Sequence, residues 1–494
     1  MQRFLPTKLA ALGLSTLALL GGCGEKFLDL KPTDQLTTDN FYRTASDANQ
    51  AALAVYGQIG RGGQYNYALW GIGEIMSDNS FTGGGGGGDG AEEIQLDQFN
   101  IPSSNPMTSK LWTGCYVGIG ACNIVLQKVP GITGVDENLR KYYLGEAQFM
   151  RAKYYFDLAR CFGDVPLVLV PPATPAEARI PRTPVDQVYA QIIMDLQAAA
   201  GNLPETWSGN DLGRATKWAA TGLLAKVYLT QGTSASLALA ATAARAVINS
   251  GKYSLWPNYG DNFKVENENG RESLFEVQYK NGLNEYIFDG LGFVGNEFFA
   301  PRGQGLVPQG GYGFNIPEVN FVDGYEAGDK RKAVTIWAPG DAYPAGSATA
   351  AQPASLVGSP FGYNCKKWFV GKVNTNVWDS PLNFPVLRLS EMYLILAEAV
   401  GPTAEGLNAV NLVRRRAGLT DLTASTPNFK DAVIKERRYE LAFEDDRWFD
   451  LKRTGKLLTN AHLQSKGVKP FNVLLPIPQS ERDANPALTQ NPGY

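Results

Sequence analysis

The chain has 494 residues, 44% of them hydrophobic, which is enough for a large core or several packed subregions. Its 45 basic and 48 acidic side chains leave a net charge of −3, so it carries no electrostatic footprint for nucleic acid. A single histidine, His462, and five cysteines with no CxxC spacing argue against a zinc site, a histidine triad or HExxH chemistry.

The N-terminus reads as an export signal. Arg3 and Lys8 precede an apolar stretch from Leu9 to Leu20, too short for a spanning helix and matched to a secretory h-region. Leu20-Gly21-Gly22-Cys23 then has the pattern of a bacterial lipobox, which predicts removal of residues 1–22 and lipidation of Cys23. Loss of Arg3 and Lys8 makes the mature chain two charges more acidic, and acyl chains would hold it to a membrane. Cys115, Cys122, Cys161 and Cys365 remain, with their pairing open; Cys115 and Cys122 lie seven apart on a predicted helix and share its buried face.

After a polar leader over 23–45, Ser46 is the expected cap of a helix whose face is Ala48, Ala52, Val55 and Ile59. The stretch from Gly60 to Pro106 is irregular and contains "FTGGGGGGDG", residues 81–90. Asp89, Glu92 and Glu93 follow the glycines with no Lys-Ser/Thr pair, and no β-branched run precedes them, so neither a P-loop nor a dinucleotide turn fits. The run reads as a mobile surface loop.

Helical periodicity resumes at "SKLWTGCYVGIGACNIVLQKV" and "ENLRKYYLGEAQFMRAKYYFDLARCFG", the second with Tyr143, Ala147, Met150, Tyr154 and Leu158 on one face. Thr183, Pro184 and Asp186 form an apparent capping box for the next helix. A tight helix pair breaks at Gly232. Helix pairs repeating near 34 residues suggest a tetratricopeptide-like array.

From Lys280 the character changes. Nine glycines and only four charged residues lie between Gly282 and Gly313, among many aromatics, and such long irregular segments are usually functional. Helical pattern returns at "LRLSEMYLILAEAVG", "GLNAVNLVRRRAGL" and "PNFKDAVIKERRYELAFEDDRWFDLKRTGKL", before an extended tail.

The lipobox with "FLDLKP", then "RAKYYFDLARCFGDVPLVL", "LLAKVYL", "FPVLRLSEMYLILAEA", "LNAVNLVRRRAGL", "ERRYELAFEDDRWFDLKRTGKL" and "LLPIPQSERDANPALTQNPGY" together resemble the SusD/RagB nutrient-binding lipoproteins, in the family's order and over the mature chain. The resemblance implies an all-α dominated fold: a superhelix of tetratricopeptide-like repeats with a loop-rich ligand-binding portion and a few short strands. It implies two regions packed as one unit, 46–270 and 271–494, with the loop-rich segment over 280–380. It further implies surface binding of oligo- or polysaccharide at the outer membrane and delivery to a SusC-like TonB-dependent transporter, with no cofactor, metal or chemistry.

Sugar recognition needs aromatic faces and a few hydrogen-bonding groups on a concave surface. Asp78 and Asn79, in a stretch resembling the family's acidic turn, are candidates for hydroxyl recognition and Phe81 for stacking. Tyr286, Tyr312 and Trp337 are the candidate platforms in the second segment, Trp337 because proline and glycine around it argue for a loop. Trp70, Trp112, Trp218 and Trp448 read as core.

Two other functions compete with glycan binding. Peptide uptake keeps the architecture and changes the ligand. A lipid-anchored glycan hydrolase would need two carboxylates across a cleft. The densest acidic stretch, "ERRYELAFEDD", instead stacks Glu436, Glu440 and Glu444 on one helix face among Arg437, Arg438 and Arg447, as in a structural ion network. "VENENGRESLFE" approaches an EF-hand loop but begins with Val265, which cannot ligate, so it reads as a turn into a strand.

Overall fold

The computed structural model describes residues 41–86, 88–282, 287–373 and 376–494. The expected signal peptide, Cys23, most of the expected leader and Tyr286 lie outside the described residues.

Side-chain caps start most of the long helices. Helix α1 (Ala45–Ala54) is opened by Thr44, whose hydroxyl accepts from the Asp47 N–H while Asp47 accepts from the Thr44 N–H at 2.8 Å. The helix therefore begins before Ser46, which sits inside its first turn. After α2 (Ala91–Asp97), α3 (Pro106–Lys128) starts from Asn105, which accepts from two free N–H groups, and α4 (Glu137–Phe162) from Asp136. Helix α5 (Val185–Asn202) departs from the expected capping box: Pro184 is its N-cap, and Thr183 pairs with Val165 in an extended bridge. The side chain that accepts the Val185 N–H is Asp164, at 2.8 Å and 21 residues upstream. Thr216 and Thr233 cap α6 (Lys217–Gln231) and α7 (Ser234–Asn249), which turn about Gly232 at φ +68°.

Successive helices pack as pairs, α3 on α4, α4 on α5, α5 on α6 and α6 on α7. Small residues set the spacing. A Cβ on Gly118 of α3 would lie 2.3 Å from the Tyr154 ring of α4, and Ala240, Ala241, Ala243 and Ala244 are buried on α7. The C-terminal half of α4 is buried on every side, so its charges pair internally: Arg151 with Asp195 at 2.7 Å, and Lys153 and Arg160 with Asp157. Past the loop-rich segment, which holds α8 (Gly295–Phe299), the stack resumes with α9 (Leu389–Val400) lodged against α6 and α7. Helices α10 (Ala404–Ala417), α11 (Phe429–Glu440) and α12 (Arg447–Arg453) follow, α10 and α11 packing on α9.

Six short strands lace the loops to this stack, each pair joining distant segments antiparallel: β1 (Ser80–Gly83) with β3 (Phe314–Pro317), β2 (Ser273–Val277) with β6 (Phe384–Arg388), and β4 (Ile336–Trp337) with β5 (Asn364–Cys365). The stretch resembling an EF-hand is the turn into β2, with the Glu276 carboxylate accepting the Asn269 N–H at 2.9 Å.

Behind β2 and β6 the acidic stretch forms a buried ion network, although α11 ends at Glu440 and Glu444 belongs to the following turn. Arg331 meets Glu436 at 2.5 Å and Glu440 at 3.3 Å, Arg388 meets Glu440 at 2.9 Å and Glu444 at 2.7 Å, and Arg414 meets Glu436 at 2.8 Å. Arg416 closes on Glu440 and Glu272, whereas Arg415 is exposed beside Asp421. Of the nearby arginines, Arg437 serves Asp450 and Glu391, and Arg438 and Arg447 serve Asp78. The described cysteines are buried free thiols, Cys115 and Cys122 together on the inner face of α3.

Candidate functional site: an aromatic platform

The first predicted pair is structural. Asp78 is buried, and Arg447 clamps its carboxylate with two hydrogen bonds of 2.7 and 3.0 Å while Asn460 donates at 2.9 Å. Burial acts to raise this carboxyl, but Arg447 and Arg438 outweigh it and hold it well below the usual carboxylate range. The Asn79 amide accepts from Arg438 at 2.8 Å and donates to Glu74 at 3.2 Å. Both side chains are engaged in fastening the start of β1 to α11 and α12, which leaves them no surface for sugar hydroxyls. Phe81 is half-buried on β1, opposite Ile316.

Trp337 departs from its expected exposure. It lies on β4, only 3% exposed, in a small cluster with Leu306, Val307 and Tyr343, its ring edge-on to Phe369 at 5.5 Å and under the Lys366 ammonium at 4.2 Å. Proline and glycine do flank it, but the loop folds back over the ring through the Tyr343 and Ala350 main chains. Trp70, Trp112 and Trp448 are core, as their helical settings imply, and Trp218 is partly buried against it.

Tyr312 is half-exposed, and it leads to the aromatic group that the loops assemble. Its ring stacks on buried Phe298 of α8 at 5.0 Å, and the Trp378 ring stands edge-on to Phe298 at 5.2 Å. Phe288 stacks on Trp378 at 4.8 Å and on its other side meets Tyr67 at 4.3 Å. Phe288, Tyr312 and Trp378 are thus partly exposed residues grouped around the buried Phe298, with Phe288 held between Tyr67 and Trp378. Trp378 has φ +58°, a left-handed conformation that costs a bulky side chain about 1–3 kcal/mol and recurs at ligand sites. Its surroundings, "VNTNVWDSP", carry the same kind of loop signal as those of Trp337.

Polar groups border this platform. The Arg302 guanidinium donates to the Tyr312 carbonyl and to the Asp89 carboxylate, both at 2.8 Å, and Asp89 also accepts the Gly85 N–H at 2.7 Å. The glycine run is therefore tied to the platform through Asp89. It is not uniformly slack: a Cβ on Gly83 would lie 2.3 Å from the Gly313 carbonyl, and one on Gly84 2.7 Å from the Phe314 ring. Gly86 and Gly88 alone among its described members have open space around that position. Beneath the rings, burial pushes the Glu297 carboxyl up to about 8, and burial with the neighbouring Glu92 pushes Glu93 up to about 7.

A superhelix of paired helices carrying a loop-borne group of aromatic rings defines the class: a helical-repeat protein of the kind that binds rather than transforms. The C-terminal portion, residues 249–494, matches the profile described as the SusD family, and residues 26–229 match one described as starch-binding associating with outer membrane. A SusD-like protein of Bacteroides ovatus is 30% identical over 91% of this chain and 83% of its own, and SusD-like protein P2 of Formosa agariphila is 29% identical over 97% and 98%. The chain belongs to the SusD family. Among solved structures, a laminarin binding SusD-like protein superimposes with a TM-score of 0.78 at 31% identity, covering 92% of this chain and all of that one. Surface glycan-binding protein A from Bacteroides thetaiotaomicron, in complex with laminarihexaose, gives 0.77 at 25% identity over 91% and 99%.

Proposed function

We propose that this protein binds oligo- or polysaccharide at the outer surface of the cell and hands it to a SusC-like TonB-dependent transporter, without catalysis, held to the outer membrane by a lipid on Cys23. The observation that carries the reading is the loop-borne aromatic group in which Tyr312 and Trp378, partly exposed and packed around Phe298, suit the apolar faces of sugar residues, with Phe288 as their support. The relatives that bind laminarin and laminarihexaose make a glucan the first ligand to test. The densest carboxylate group supports a non-catalytic role, since Glu436, Glu440 and Glu444 are buried and saturated by arginines.

Isothermal titration against laminarihexaose, maltoheptaose and a peptide mixture tests the ligand. Heat from a glucan, with affinity reduced about tenfold or more by Trp378→Ala, is expected; heat from peptides alone would overturn the reading. Release of reducing ends from any of the glycans would refute the absence of chemistry.

A further inference from the structure

The aromatic platform leaves unexplained a cavity of about 570 Å³ on a different part of the molecule, where the end of α4, the start of α5, α12 and the C-terminal tail meet. Its walls are largely carbon: Tyr189, Phe449, Val473 and Leu474 line it. A space of this size suits a small organic ligand.

The charges around it do not cancel in the ordinary way. Arg160 is paired with Asp157 at 2.8 Å and Asp446 at 3.1 Å, and Arg453 with Asp450 and Glu398, both at 2.7 Å. Arg182 is spent on oxygens of the main chain and of one amide, donating to the carbonyls of Asp164, Thr489 and Phe162 and to Asn491. The one carboxylate among the described lining residues, Asp164, accepts the Val185 N–H, and Arg182 reaches its main-chain carbonyl rather than its carboxylate. Lys452 differs from Arg160 and Arg453. Its ammonium donates to the Arg160 carbonyl at 2.5 Å and lies 5.4 Å from the Trp448 ring centroid, and among the described residues it has no carboxylate within ion-pair distance, which leaves its positive charge beside an apolar wall without a counter-ion.

We infer that this cavity binds a small amphipathic monocarboxylate, its acid group on Lys452 and its hydrocarbon or aromatic body against Tyr189, Phe449, Val473 and Leu474. A charge-assisted hydrogen bond to the ammonium would be stronger than the carbonyl contact alone, and the body would cover apolar surface now open to water. A neutral analogue gains only the second term.

A pH signature follows from the geometry. Burial pushes the Lys452 ammonium down to about 8. The titratable and charged groups around it are Arg160, Arg182, Arg453 and Asp164, with the Tyr189 hydroxyl and the Cys161 thiol each pushed up by burial to about 12. Lys452 is then the group that changes charge between pH 7 and 9.5, so carboxylate affinity should fall across that interval and binding at pH 9 should take up protons.

The test uses the mature protein with 4-phenylbutyrate and octanoate against 4-phenylbutanol and octanol, read by calorimetry and thermal shift. The acids are expected to bind about tenfold or more tighter than the alcohols at pH 7, corresponding to about 1.4 kcal/mol. Lys452→Met should remove that preference and Lys452→Arg restore it. Equal binding of acid and alcohol, or undiminished acid binding by Lys452→Met, would overturn the proposal. If Lys452→Met does not fold, Val185→Trp, which narrows the cavity while keeping the ammonium, should exclude the acids, and unchanged binding in that variant would equally overturn it.

Discussion

Two tryptophans in similar sequence surroundings have opposite fates. Trp378 is held half-exposed in a left-handed backbone between Phe288 and Phe298, whereas Trp337 is enclosed by Leu306, Val307 and Tyr343. Trp378→Ala should weaken glucan binding by a factor of about ten or more, since one stacked ring contributes on the order of 1–3 kcal/mol by analogy with base stacking on aromatics. Its stability cost should be small, because alanine tolerates the left-handed region better than a large ring. Trp337→Ala should do the reverse, costing about 3–5 kcal/mol of stability as a buried ring is lost, with binding nearly intact in the folded fraction. Titration calorimetry beside chemical denaturation of both variants checks the exchange of roles. Asp78 offers a pH test at the same scale. Its folded-state carboxyl lies below the ordinary unfolded value of about 3.9, so its contribution is full above that value and is lost as pH falls towards the folded one. Asp78→Asn should therefore cost about 3–5 kcal/mol at pH 7 by breaking a buried pair, and the gap from the parent should narrow in denaturant melts below pH 4.

At the scale of elements, the glycine run divides into an anchored start and an open middle. Gly84→Ala would place a methyl against the Phe314 ring at a residue with φ +73°, whereas Gly86→Ala meets strain alone, at φ +95° with nothing near. Gly84→Ala should cost several times as much stability as Gly86→Ala, whose strain is on the order of 1 kcal/mol. Thermal melts of the two variants measure the difference, and equal losses would mean that the Phe314 contact yields freely. Helix starts show how far local chemistry reaches: Asn105, Asp136, Thr216 and Thr233 cap where their type and position say they should. The start of α5 escaped because its acceptor, Asp164, comes from a neighbouring helix end and leaves no trace in the local pattern.

For the whole molecule, the regions 46–270 and 271–494 meet where α6 and α7 of the first pack on α9 of the second, and Lys226 of α6 reaches Glu391 at 3.3 Å and also pairs with Asp446. These contacts carry the proposal that 46–270 and 271–494 fold as one unit. A single calorimetric transition is expected, with calorimetric and van't Hoff enthalpies in agreement. Two resolved transitions would separate the portions.

Helix existence, the paired-helix array, the core tryptophans and the extent of the loop-rich segment were legible from the sequence, because periodicity, caps and glycine-rich punctuation are local properties of a chain. The lipobox and the ordered blocks of family-like sequence carried the expectation of a surface-binding lipoprotein. The tertiary structure alone decided which polar and aromatic side chains are spent on packing. Asp78 and Asn79 meet arginines more than 350 residues away, and Trp337 is covered by a loop folding back on it, so their residue types could not distinguish a strut from a contact. Trp378 joins Phe288 and Phe298 across 80 to 90 residues of loop. Which rings gather into one group, and which residues of it stay partly exposed, depends on contacts between distant segments, and that is settled by packing in three dimensions.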